Sequence, residues 1–144
     1  MNVKPTASGS RKILMVDDNL IIQRTLALAL TNKGYQVFAA SDISTALSAV
    51  RREKPDLILL DLSFPLDSAD VGGPMQDGFF VVEWLRRTPE AGKIPIIIIS
   101  ATDPAKYKNQ ISARGIAACF CKPLNHDELL AAIHTALGDA PAQV

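Results

Sequence analysis

The sequence is short of cysteine and has no excess of either charge, and both features narrow what it can be. Fifteen basic residues balance fifteen acidic ones, so no net field draws the whole molecule to nucleic acid or to an anionic membrane. No apolar run reaches the roughly 18 residues that a membrane-spanning helix needs. The opening stretch, MNVKPTASGS, lacks the apolar core of a secretory signal. The expectation that follows is a cytoplasmic protein without direct nucleic-acid or membrane contacts. Cys119 and Cys121 are the only cysteines. On a strand that spacing puts both on one face, too close for an unstrained disulfide. They read as buried small hydrophobes rather than metal ligands, since His126 and His134 fall on a later predicted helix. There is no internal repeat. No glycine-rich phosphate loop follows the first apolar run, so a nucleotide-binding protein is not supported.

What is present is an ordinary apolar share, 48% of 144 residues, enough for one domain with a proper core. Residues 1–10 read as a polar lead-in, 11–138 as the domain and 139–144 as a tail. Short apolar runs at 12–16, 35–40, 57–61, 94–100 and 117–121 predict five strands. Between them lie stretches of helical periodicity. Ile22, Leu26, Ala29 and Leu30 follow a cap at Asn19, and Gly34 ends that helix. A second helix starts at Ser41 or Asp42 and ends before Pro55. A third runs over 79–87 and stops at Pro89. Asp103-Pro104 opens a fourth, ending at Gly115. In the last, Asn125 and Glu128 resemble a capping box, and Gly138 ends the helix. Strands alternating with helices predict a parallel sheet covered on both faces.

Parallel strands share one C-terminal edge, where open α/β sheets hold their chemistry. The first strand runs out into Asp17 and Asp18, the third into Asp61, the fourth into Ser100 and the fifth into Lys122. Three carboxylates in one crevice repel unless a cation sits among them. A hard divalent ion with oxygen ligands fits, and Mg²⁺ favours few carboxylates together with waters and phosphate oxygens. Lys122 can pair with a phosphate, and Ser100 can donate to a phosphoryl oxygen. Such a set suits attack of Asp61 on a phosphoryl group.

On these residues the chain resembles the receiver domain of two-component response regulators, over about 11–138. The matches are Met15-Val16-Asp17-Asp18-Asn19, the strand from Asp56 through Asp61 to Leu62, Pro65, Asp77-Gly78-Phe79, Ile98-Ile99-Ser100-Ala101 and Lys122-Pro123. The resemblance implies a flavodoxin-like (βα)5 fold, a doubly wound parallel five-stranded sheet of order 2-1-3-4-5. It also implies that Asp61 takes a phosphoryl group from a sensor histidine kinase or a histidine phosphotransfer protein. Asp18, Asp61 and the backbone carbonyl of Ser63 would hold Mg²⁺, with Asp17 acting through a water on the metal. Lys122 would hold phosphoryl oxygens. Ser100 would swing toward them and move the helix expected over 103–115. No output domain follows in the sequence, so a stand-alone receiver is expected. It would act on a downstream output protein through the end of the chain, from that helix onward, and a homodimer is left open.

Three features depart from the family pattern. Asp77-Gly78 comes about nine residues late, after a stretch rich in Gly, Pro and Asp at 66–77. That stretch reads as a surface insertion or as a partial lid. Phe80 and Trp84 stand at i,i+4 where polar residues are usual, and an inserted loop folded over them is one expectation, an exposed contact surface the other. Cys119 occupies the place of the usual switch aromatic, and Phe120 lies one step on, which reverses the face. A pseudo-receiver that only binds is therefore the alternative reading. A phosphatase of the haloacid-dehalogenase type would want an acid at Ser63 and is disfavoured.

Overall fold

A computed structural model describes residues 11–17, 20–61, 79–100, 116–122 and 124–138, with Leu20, Ile43 and 79–81 by backbone alone. Five strands appear, β1 (Lys12–Val16), β2 (Gln36–Ala40), β3 (Leu57–Asp61), β4 (Ile96–Ser100) and β5 (Ala118–Cys121). The described helices are α1 (Leu20–Asn32), α2 (Ile43–Glu53), α3 (Phe79–Arg87) and α4 (His126–Leu137). All strand pairs are parallel, in the order β2-β1-β3-β4-β5. The expected flavodoxin-like topology is borne out. The lead-in, the 66–77 stretch, the helix expected over 103–115 and the tail lie outside the described residues.

The central strands are apolar throughout because both faces are covered. Leu14, Ile58, Leu60, Ile96 and Ile98 pack with Ala46 and Val50 of α2 and Val82 and Leu85 of α3. Their neighbours Ile13, Met15, Leu57, Leu59, Ile97 and Ile99 pack on the other side with Leu26 and Leu30 of α1 and Leu129 and Ile133 of α4. Alternation along each strand sorts side chains between two cores, and the helices that follow β1 and β5 cover one face while those after β2 and β3 cover the other.

The helix ends follow their local chemistry. Asp42 accepts from Thr45 N–H at 2.8 Å while Thr45 Oγ1 takes the Asp42 N–H, a complete capping box. Asn125 Oδ1 accepts from Glu128 N–H at 3.0 Å. Gly34 and Gly138 lie at φ 97 and 74, where a Cβ would be strained. Three strand starts differ from the sequence expectation: β2 and β5 begin one residue late, at Gln36 and Ala118, and β4 begins at Ile96, not at Ile94. Pro95 has no N–H to give a ladder, although its carbonyl accepts from Ile58 N–H at 3.0 Å. Arg86 Nη1 donates to the carbonyls of Gly92 and Ile94 at 3.3 and 2.8 Å, holding that segment as a turn.

The cysteines need a second correction. Both are free thiols, but only Cys119 is half-buried, and Cys121 is exposed. Cys121 is the last residue of β5, one of the two edge strands of the sheet. Burial pushes the Cys119 thiol up to about 11, with the nearby Cys121 adding to the effect. Trp84 is 41% exposed. The loop and the Phe80 side chain that the sequence placed against it lie outside the described residues.

Candidate functional site

The strands end level with one another. Val16 pairs with Leu60, Asp61 with Ile99 and Ser100 with Cys121. Asp17, one step past β1, therefore comes beside Asp61, and Lys122, one step past β5, comes beside Ser100. Lys122 N–H donates to the Ser100 carbonyl at 2.8 Å, extending the ladder by one bond. The lysine side chain then reaches across β4, and its Nζ lies 2.9 Å from Asp61 Oδ2. The pair is asymmetric in exposure. The Asp61 side chain is 3% exposed and the Lys122 side chain 21%.

The buried polar residues of the described structure are Asp17, Gln23, Asp61, Thr88 and Ser100. Four of these five converge on the C-terminal edge of the sheet. Thr88 has a structural explanation, its Oγ1 donating to the Trp84 carbonyl at the end of α3. A buried carboxylate is costly unless it is paired or binds a cation, and here Asp17 and Asp61 are 4% and 2% exposed at neighbouring strand ends. By contrast, Asp56 sits at the opposite edge. Its carboxylate accepts from Lys12 N–H at 2.8 Å, and its own N–H returns to the Lys12 carbonyl. That reciprocal pair sets the β1–β3 register.

Of the residues expected to form the site, Asp17, Asp61, Ser100 and Lys122 are brought together. Asp18 and Ser63 lie outside the described residues. Among the described residues no three acidic, histidine or cysteine side chains cluster; Asp17 and Asp61 are two buried carboxyl groups at neighbouring strand ends. Two ionised carboxylates so placed would repel, an environment that a divalent cation would relieve.

Gln23 was not expected. Its side-chain amide donates to the carbonyls of Asp17, at 2.5 Å, and Ala40, at 3.1 Å. A signal was available in the sequence: Gln23, Leu26 and Leu30 stand at i, i+3 and i+7, so an amide occupies an otherwise apolar stripe. The face reversal on β5 is seen as expected. Cys119 packs on the α2/α3 side and Phe120 on the α1/α4 side. Next to Lys122 an open cavity of about 470 Å³ is lined by Ile21, Ile22, Thr25, Leu26, Leu124 and His126.

Comparison with known proteins gives a consistent picture. Residues 13–134 match the model of the response regulator receiver domain. The transcriptional regulatory protein KdpE of Mycobacterium tuberculosis is 33% identical over 126 residues, which cover 87% of this chain and 50% of that protein. The chain thus spans half the length of that relative. A chemotaxis response regulator of Vibrio cholerae superposes with a TM-score of 0.73 at 27% identity, covering 88% of this chain and 98% of its own. The receiver domain of a sensor histidine kinase from Pseudomonas aeruginosa, which has a magnesium ion in its active-site cleft, has the same fold. Its TM-score is 0.73 at 24% identity, covering 91% of this chain and 100% of its own.

Proposed function

Because this chain belongs to the response regulator receiver domain family, we propose that it accepts a phosphoryl group on Asp61 and thereby switches its contacts with other proteins. The observation that carries the proposal is the buried Asp61–Lys122 pair, 2.9 Å across, at a strand edge shared with Asp17 and Ser100.

A carboxylate oxygen of Asp61 forms the new bond to phosphorus as the N–P bond of a phosphohistidine breaks and the imidazole takes the electron pair. Lys122 holds Asp61 in place before transfer. Its ammonium, a compact charge on a flexible stem, then follows the phosphoryl oxygens as charge gathers there. The Ser100 hydroxyl donates to a phosphoryl oxygen afterwards. Its carbonyl is already tied to Lys122 N–H, so movement at either residue is felt by the other, and that local change biases the segment that follows β4. Asp18, Asp61 and the Ser63 carbonyl would hold Mg²⁺, with Asp17 at one remove. The ion would supply neutralisation of charge on the transferring group.

The donor is a sensor histidine kinase or a histidine phosphotransfer protein, and the setting is cytoplasmic. The apolar cavity beside Lys122, rimmed by Ile21, which is 77% exposed, supports docking of a helical partner face there. The protein is a signalling domain that assists its own phosphorylation and dephosphorylation.

The test is intact-mass measurement after incubation with Mg²⁺ and acetyl phosphate, beside Asp61→Asn. The wild type gains one phosphoryl group, and the variant gains none. No adduct on the wild type would favour the second reading, a phosphorylation-independent binding scaffold, which the aliphatic-sized Cys119 on the α2/α3 face supports. Steady phosphate release from unrelated monoesters would favour a phosphatase.

A further inference from the structure

We propose that Gln23 is a positioning residue for Asp17, acting through the Asp17 backbone. The proposal rests on the receiver reading above and adds to it a residue that holds Asp17 in place without touching a bound ion.

Gln23 is 6% exposed on the inner face of α1. Its Nε2 spends both hydrogens outside its own helix, on the Asp17 carbonyl at 2.5 Å and the Ala40 carbonyl at 3.1 Å. Asp17 N–H donates to the same Ala40 carbonyl, also at 3.1 Å. The backbone of Asp17 is thus held at both ends: its N–H by β2, its carbonyl by α1. That carbonyl belongs to the 17–18 peptide, and a peptide is planar. Fixing its oxygen fixes that plane, and with the N–H also held it fixes the backbone from which the Asp17 side chain leaves.

An ordinary packing role would call for an apolar residue in line with Leu26 and Leu30. What Leu or Met cannot supply is a pair of donors aimed at the strand ends. The buried Asp17 and Asp61 carboxylates at neighbouring strand ends repel one another before a cation arrives. A pinned peptide keeps them converged, and a loosened one lets them separate. Groups that orient ligands from behind change metal affinity by about 10–100-fold.

The test is Gln23→Met, similar in length but without donors. Mg²⁺ binding to the unphosphorylated protein is measured by calorimetry, and melting temperature is followed with and without Mg²⁺. The expected result is roughly 10-fold weaker Mg²⁺ binding and a smaller rise of melting temperature with the ion. Phosphoryl uptake from acetyl phosphate should need correspondingly more Mg²⁺ yet approach the wild-type rate at saturation. Unchanged Mg²⁺ affinity, whatever the loss of melting temperature, would make Gln23 a packing residue and overturn the proposal. If Gln23→Met does not fold, Gln23→Asn, which keeps the amide on a shorter stem, is read in the same way. A wild type that neither binds Mg²⁺ nor takes a phosphoryl group defeats the receiver reading itself, a different failure from wild-type activity with an indifferent Gln23.

Discussion

Replacing Lys122 by Met removes the ammonium that lies 2.9 Å from Asp61 Oδ2. At that separation and an effective dielectric of about 20, the Coulomb attraction is about 6 kcal/mol. Much of this is offset by desolvation, since Asp61 gives up nearly all of its water, while the 21% exposure of the Lys122 side chain screens the pair. A net coupling of about 2–3 kcal/mol remains, between the values for exposed and fully buried pairs. Lys122→Met should therefore destabilise the protein by about 3 kcal/mol, because a buried carboxylate at a strand end beside Asp17 has lost the ammonium paired with it. In the Asp61→Asn background the same change should cost far less. The assay is urea unfolding of the wild type, both single variants and the double variant, which closes a thermodynamic cycle. Mg²⁺ should restore more stability to Lys122→Met than to the wild type. A coupling below about 0.5 kcal/mol, the level of an exposed pair, would refute the reasoning that this lysine governs Asp61.

Three further outcomes follow from local chemistry. The Cys119 thiol, pushed up to about 11 by burial and the nearby Cys121, stays protonated at pH 8, so a thiol reagent should label exposed Cys121 first and Cys119 only slowly. Because the folded state favours the neutral Cys119 thiol, the stability it contributes is present below its unfolded pKa and is lost as pH rises toward 11; Cys119→Ser should flatten that alkaline loss in a pH series of urea midpoints. Asp42 has its pKa lowered by bonds from the Thr45 backbone and side chain. Its cap therefore stabilises above the unfolded carboxylate pKa and fades as pH falls through the lowered folded value. The gap in melting temperature between wild type and Asp42→Ala should be full at pH 6 and close in strong acid. A gap that persists unchanged there would show that Thr45 is capped by something other than the carboxylate.

The sequence by itself determined most of what is local. Short apolar runs bounded by Pro and Gly marked the strands, and the residues just past them, Asp17, Asp61, Ser100 and Lys122, named the edge where polar groups meet. Caps at Asp42 and Asn125 were legible because a cap reads only its own next turn. Strand order was not legible from periodicity, which carries no information about neighbours; it entered through the family resemblance and is seen in the sheet. Tertiary structure alone decided the rest. Cys121 is exposed where it ends the edge strand β5, while Cys119 two residues earlier packs against the core. Ile94 leaves its strand because Pro95 has no donor and Arg86 holds the turn from another element. Lys122 finds Asp61 because β4 and β5 end level. Gln23 acquires its role only when α1 folds back over β1 and β2, bringing an amide in a helical stripe to two carbonyls that lie 6 and 17 positions away. The reason is the same in each case: a side chain's type is written locally, but its partner is chosen by chain closure over distances that periodicity does not span.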